Sequence, residues 1–457
     1  MVVTVSNGSA EAASAGSPDR IDQFIATLKA QNVEYVRFEM SDLHGVSRLK
    51  VVPIDKVEGY ARKGLNFYGG TLGLDTASMV VPGSGLHEER KYRDHALIPD
   101  FDTLARVPWL ERTAKVICDP QWSAKEPLTV APRYILKALL DKAAAMGFDV
   151  MMGHEFEFYL LDGKTQEPLF DGLHIFNHIR NQYVPELDQL IDYLRAAGVD
   201  VITHNCEYAP SQFEINFGAS VGIAAADKAF TFKNAVKEIA HRMGYQATFM
   251  SKPFSDRAGC CCHFHISLID RNSGTNAFLD LSEPDGLSQT ARAFTQGILT
   301  HAPAMMPLIG PTPNCYRRLK PHTFAPSNIS WGIEDRTALV RVKATGDEDT
   351  HLEMRAGSGL SNPYLSAAAT LAAGLVGVQR QYTLQPMVDG PSEDDPTLPK
   401  LPPNLEGALE CLQADSEMRS HLGEDFVHLF TTVKQFELNR FYAHVSDWER
   451  QEYMAVY

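Results

Sequence analysis

Gly153-His-Glu-Phe-Glu-Phe-Tyr-Leu-Leu161 alternates ionisable and aromatic side chains with a period of two. That is the period of a β-strand, so Glu155 and Glu157 share one wall while Phe156 and Phe158 turn toward a core. Three further strand-like segments carry paired polar groups: Glu207 and Glu214 in CEYAPSQFEINF, His263 and His265 in CCCHFHISL, and Glu353 with Arg355 in HLEMRAG. Their interleaved neighbours Phe264, Ile266, Leu352 and Met354 are apolar and core-bound by the same alternation. Five carboxylates and the His263 imidazole gathered on one wall would repel each other unless cations neutralise them. A ligand set made mostly of oxygen suits hard divalent ions, so the pattern predicts a metal site.

The 457-residue chain is long enough for two domains and a large core. Its 44% hydrophobic and 22% charged residues match an ordinary soluble globular protein, and its net charge of −15 disfavours nucleic acid or an anionic membrane as a partner. Seven cysteines form no CxxC framework. Cys260, Cys261 and Cys262 are consecutive, so along a strand they point to alternate faces and cannot wrap one zinc ion. They read as reduced packing thiols of a cytoplasmic protein. Residues 1–18, rich in Ser, Ala and Gly, lack the basic and apolar regions of an export signal and read as a disordered tail. The apolar run Leu365–Val378 is too short to span a bilayer and, being rich in Ala and Gly, reads as a buried, tightly packed helix.

Residues 19–125 read as a small β-rich N-terminal domain. It opens with an amphipathic helix over Asp19–Gln31, followed by two strands around the Asp42-Leu-His-Gly45 turn, a hairpin by pattern. The proline-flanked stretch Glu126-Pro-Leu-Thr-Val-Ala-Pro-Arg-Tyr134 marks the boundary, with Pro132 opening a helix. Over 126–457 strands are expected at 149–161, 200–218, 246–252, 261–269, 337–344 and 350–356. Helices are expected at 184–197, 222–243, 287–302 and 362–382, with an irregular run between 307 and 332. This is an α+β layout with an antiparallel sheet curved round the site.

The ordered set HEFEF, EYAPSQFE, HFHIS, YRRLKP, Arg336 with Arg341, and LEMR followed by NPYL resembles the type I glutamine synthetase superfamily. The DLHGVSR turn, PDFDTLARVPW and SDWERQEYMAVY extend the resemblance over nearly the whole chain after residue 20. DLHGVSR and FYGGTLGLD are most similar to the lengsin-related branch, which also has bacterial enzyme members. The resemblance implies a β-grasp-like N-terminal domain and a large catalytic domain. It also implies ATP as co-substrate and two or more Mg²⁺ or Mn²⁺ ions per site. One ion would be held by Glu157, Glu207 and Glu214, the other by Glu155, His263 and Glu353. Glu157 and His263 would also face the substrate, and Glu207 the nucleotide. Arg341 and Arg355 would meet the transferring phosphoryl group, and Arg318 and Arg336 the substrate carboxylates and phosphate. His265 and Ser267 would lie at the nucleotide and Gly259 beside glutamate. Asp42 would reach the amine pocket of a neighbouring subunit, which implies a homo-oligomer of hexameric rings, single or stacked as a dodecamer.

Two departures bear on the substrate. The flap of the family's ammonia-using members reads R-L-V-P-G-Y-E-A-P, whereas this chain has Arg318-Leu-Lys-Pro-His-Thr-Phe-Ala-Pro326, with Phe324 in place of the glutamate that binds and deprotonates ammonium. The family's N-G-S-G reads Ala258-Gly-Cys-Cys261, so its glutamate-contacting asparagine is Ala258. The expected reaction is therefore ATP-dependent joining of the γ-carboxylate of glutamate to a small apolar primary amine, alkyl or aryl. The rival readings are a glutamine synthetase that uses ammonia and a non-catalytic, lengsin-like structural protein. Retention of all six ligand positions argues against the latter.

Overall fold

The structure, a computed structural model, describes residues 18–123, 126–172, 175–388 and 390–457. Apart from Pro18, the expected N-terminal tail lies outside those residues. The chain groups into two compact units. One comprises the described part of Met1–Met40 with Arg48–Phe67 and Asp94–Pro127; the other comprises Ser41–Ser47, Tyr68–Arg93 and Leu128–Tyr457. Residues 41–47 and 68–93, inside the expected N-terminal stretch 19–125, thus cluster with the second unit.

In the first unit the strands are β1 (Tyr35–Ser41), β2 (Ser47–Pro53), β3 (Leu65–Tyr68), β4 (Asp94–Pro99), β5 (Ala105–Arg106), β6 (Thr113–Ser123) and β7 (Glu126–Pro127). The main order is β2-β1-β6-β4-β3, with β1 parallel and β4 antiparallel to β6. β1 and β2 form the expected hairpin. Helix Pro18–Ala30 buries Ile21, Phe24, Ile25 and Leu28, the apolar stripe that its 3.6-residue period predicts.

The second unit is built on a nine-stranded curved sheet: β8 (Phe148–Asp162), β9 (Val201–Cys206), β10 (Gln212–Phe217), β11 (Ser220–Val221), β12 (Tyr245–Thr248), β13 (Cys262–Asp270), β14 (Trp331–Ile333), β15 (Val340–Lys343) and β16 (His351–Met354). The order is β14-β15-β16-β13-β8-β10-β9, with β11 and β12 also pairing with β8. All these pairs are antiparallel except β14–β15. The alternation read from the sequence divides the sheet into two chemistries. Phe156 and Phe158 are fully buried, in an aromatic cluster where Phe156 lies 5.6 Å from Phe232 and 5.7 Å from Phe249. Glu155 and Glu157 occupy the other face.

Three elements differ from expectation for identifiable reasons. The single strand expected over 200–218 is a hairpin, β9 and β10, turned by residues 207–211, with Ser211 in the left-handed region at φ 61°. The helix expected to stop at 302 continues to Ile309 through Pro303 and Pro307. Its last turns are almost wholly buried, so tertiary packing overrides the local cost of proline. Strand β14 lies in the run read as irregular. Helix Pro363–Arg380 is buried over Pro363–Gly377, as expected, and no helix among the described residues is long and apolar enough to cross a membrane.

Candidate active site

Strand register assembles the polar wall. Glu214 on β10 stands opposite Glu157 on β8, and His263 on β13 stands opposite Glu155. His265 is opposite Glu353 on β16, and Arg341 on β15 is opposite the same Glu353. Residues directly opposed across antiparallel strands have Cβ atoms roughly 4.5–5.5 Å apart, so their side chains interact. The 207–211 turn adds Glu207 by folding β9 back on β10. Glu207 and Glu214, distant in an extended strand, are brought together by that reversal.

One ligand atom each from Glu157, Glu207 and Glu214 lies within 4.8 Å of the other two. Burial and then the neighbouring carboxylates Glu155 and Glu157 push Glu214 up to about 10. Burial and then Glu157 push Glu207 up to about 7. These are carboxylates arranged so that charge on one opposes charge on the next, the situation a divalent cation relieves. The donors fit Mg²⁺ or Mn²⁺.

The second set is balanced differently. His263 Nδ1 lies 3.9 Å from Glu155 Oε1 and 3.6 Å from Glu353 Oε1, and His265 Nε2 is 3.0 Å from Glu155 Oε2. Burial raises Glu155, but the bonds from His263 and His265 outweigh it and hold the carboxyl well below its ordinary range. Glu353 is likewise lifted by burial, yet His263, Arg355, His265 and Arg341 bring it down to about 2. Two carboxylates and one imidazole also suit a divalent cation. Arg341 donates to Glu353 Oε2 at 3.0 Å and Arg355 bonds Glu353 Oε1, so two buried guanidinium groups flank this set. Arg341 also forms an ordinary ion pair, through Nε and Nη2, with Glu334 Oε2.

The remaining expected residues are spread around this wall. Ser267 follows His263 and His265 at the same two-residue spacing on β13 and is buried. Arg318 is buried, donating through Nη2 to the carbonyls of Ala356 and Gly357, both at 2.9 Å. A Cβ on Gly259 would meet Arg318 Cγ at 2.7 Å and the Ser251 carbonyl at 2.5 Å, so this close approach requires glycine. Arg336 is exposed, and its carbonyl accepts from Arg355 Nε at 3.0 Å. Phe324 is 70% exposed and in the left-handed region at φ 54°, which rules out a core-packing role for its ring within this chain. Asp42 is buried. Its Oδ1 accepts from the backbone N–H of His44 at 2.9 Å and of Val46 at 3.0 Å, so in its own chain it organises the turn. His44 in turn bonds Glu437 Oε1 at 2.7 Å, anchoring that turn to helix Glu424–Ala443.

Several supporting residues escaped the sequence reading. Gln212 Nε2 and the Cys261 N–H donate to Glu157 Oε2 at 3.1 and 3.0 Å. Asn205 Nδ2 donates to Glu207 Oε1 at 2.9 Å, and Asn216 Nδ2 to Glu214 Oε1 at 3.0 Å. His351 Nε2 is 3.1 Å from His265 Nδ1. Each of Gln212, Asn216, Asn205 and His351 is two residues from an expected ligand, and same-face spacing on a strand would have found them.

The glutamine synthetase catalytic-domain family matches residues 129–453. The chain is 31% identical over 452 residues to type-1 glutamine synthetase 2 of Dictyostelium discoideum, covering 95% of this chain and 86% of that one. It is also 31% identical over 444 residues to a glutamate–isopropylamine ligase of a Pseudomonas species, covering 94% and 96%. A solved GmaS–ADP complex superimposes with a TM-score of 0.84 at 29% identity, covering 94% of this chain and 99% of that one. The protein is thus a member of the glutamine synthetase family, and the wall of carboxylates lies within the domain that defines it.

Proposed function

We propose that this ligase joins the γ-carboxylate of glutamate to a small apolar primary amine, using ATP and passing through γ-glutamyl phosphate. A glutamine synthetase and a glutamate–isopropylamine ligase stand at the same identity to the chain, so the reading rests on the flap. The observation that carries it is Phe324, an exposed aromatic ring at the position where ammonia-using members carry a proton-accepting glutamate. An apolar ring favours an apolar amine and offers NH₄⁺ neither a countercharge nor a proton acceptor. An alkylammonium would have to lose a proton, and the candidates to accept it are Asp42 and His322, the latter with Nδ1 3.7 Å from Glu393 and Nε2 3.8 Å from Asp394.

A carboxylate is a poor electrophile, and transfer of the γ-phosphoryl group from ATP to glutamate makes it an acyl phosphate, which the neutral amine attacks with loss of phosphate. Divalent cations, when bound, would draw the phosphate oxygens together and neutralise their charge. Glu157, Glu207 and Glu214 would hold one, and Glu155, His263 and Glu353 another. Arg341 and Arg355 stabilise the charge that develops on the phosphoryl oxygens, Arg318 and Arg336 orient the acid and phosphate, and His265 and Ser267 border the nucleotide. Retention of the whole ligand set opposes a purely structural role.

The test is phosphate release from ATP and glutamate across ammonia, methylamine, isopropylamine, aniline and putrescine. Wild type should prefer an apolar amine and use ammonia poorly. Phe324→Glu should shift preference toward ammonia, since a carboxylate there binds NH₄⁺ and accepts its proton, while its desolvation penalises a bulky apolar amine. Ammonia as the best wild-type substrate, or one unchanged ranking in both proteins, would refute the reading.

A further inference from the structure

Cys261 faces the polar wall rather than the core. Its Sγ lies 3.2 Å from Nε2 of His263, two residues along the same face, and the thiol is buried. The other ring nitrogen of His263, Nδ1, is the one turned toward Glu155 and Glu353, at 3.9 and 3.6 Å. No other group hydrogen-bonds Nε2 among the described residues. The same residue also holds the neighbouring carboxylate set, because its N–H donates to Glu157 Oε2 at 3.0 Å while its carbonyl accepts from the Glu157 N–H at 3.1 Å. Its neighbours behave otherwise: Cys260 sits in an apolar cluster with Tyr159, Leu161 and Ala209.

We propose that Cys261 is a positioning residue for His263, its sulfur accepting a hydrogen bond from Nε2–H and so leaving the Nδ1 lone pair directed between Glu155 and Glu353. Which nitrogen of a histidine is free to bind a cation is set by the hydrogen bond made by the other. Sulfur is a weak acceptor, but with no other partner for Nε2 among the described residues it suffices to fix tautomer and ring orientation, while the thiol hydrogen is left for the Glu157 carboxylate. The proposal rests on the reading of His263 as a metal ligand.

The test is Mn²⁺ titration followed by electron paramagnetic resonance of the free ion, on the full chain without substrates. Cys261→Ala should weaken the binding step assigned to His263 by about ten- to a hundredfold, the usual scale for losing an outer partner of a ligating histidine. Cys261→Ser, which keeps a donor and acceptor, should restore most of that affinity, and Cys260→Ala should leave it unchanged. Cys261→Val fills the space without a hydrogen-bonding atom and takes the place of the alanine variant should that one fail to fold by circular dichroism. Wild-type Mn²⁺ affinity in the alanine or valine variant, with His263→Ala losing the step, would overturn the positioning role alone. Equal weakening in Cys260→Ala would reduce it to packing. An unchanged titration in His263→Ala would remove the metal reading itself, and this proposal with it.

Discussion

Glu353 shows how several charged groups can converge on one buried side chain. It is 2% exposed, yet three cationic or protonatable groups converge on it: Arg341, Arg355 and His263. An isolated buried carboxylate would be neutral, and here the surrounding positive charge keeps it ionised, as its depression to about 2 records. Glu353→Gln keeps the shape and removes the charge, so it should fold, bind Mn²⁺ more weakly and lose turnover by orders of magnitude. Arg355→Lys keeps a charge but loses the rigid fork that reaches both Glu353 and the Arg336 carbonyl, and kcat should fall by about 10²–10³-fold, the scale of removing one preorganised donor from a developing charge. Chelation should silence the wild type and Mg²⁺ or Mn²⁺ restore it. Full activity after exhaustive chelation, or near wild-type kcat in both variants, would mean that these groups form only a structural ion-pair network.

At the scale of elements, what was legible in the sequence followed periodicity, and what was not depended on long-range pairing. The two-residue alternation in HEFEF, HFHIS and LEMR placed three strands and their inward and outward faces, because a strand's side-chain direction is a local property. The hairpin at 207–211 was missed because a left-handed Ser211 at its turn leaves no glycine signal, and β14 because a three-residue strand is held by its partner β15. The Ala- and Gly-rich composition of Leu365–Val378 did announce close packing, and its reason is now visible. A Cβ on Gly377 would meet the Ala293 carbonyl at 2.1 Å, and one on Gly297 the Ala373 carbonyl at 2.2 Å, so helices Gln289–Ile309 and Pro363–Arg380 touch backbone to backbone. Gly377→Ala should therefore cost about 1–3 kcal/mol by overpacking and lower the melting temperature. Gly59, exposed in helix Ile54–Lys63 with nothing within 4 Å of an added Cβ, should gain about 0.5–1 kcal/mol on the same change. Calorimetric melting of the two variants against wild type checks both signs. A neutral Gly377→Ala would show that the helices can separate without loss.

At the scale of the whole molecule, the C-terminal segment is difficult to reconcile with a lone chain in water. Phe441, Tyr442, Val445, Trp448, Tyr453, Met454, Val456 and Tyr457 are all exposed, in a run of 17 residues. Scattered exposed apolar groups are ordinary, but a contiguous series dominated by aromatic side chains marks a surface that associates. The chain's net charge of −15 keeps such a surface from non-specific aggregation while allowing a specific apolar contact. The occupant we predict is a second copy of this chain, in keeping with the homo-oligomeric rings that the sequence resemblance implies. Light scattering should then give a mass several times 50.6 kDa. Trp448→Ser should weaken association by about 2 kcal/mol or more, roughly thirtyfold, because buried tryptophans carry a disproportionate share of interface energy. The assembly should accordingly dissociate at higher protein concentration in the variant than in the wild type, with secondary structure intact by circular dichroism. A wild-type monomer at micromolar concentration would refute the association outright. An unaltered assembly in Trp448→Ser would move the contact away from this segment, leaving its aromatic residues to be explained by something other than a second copy.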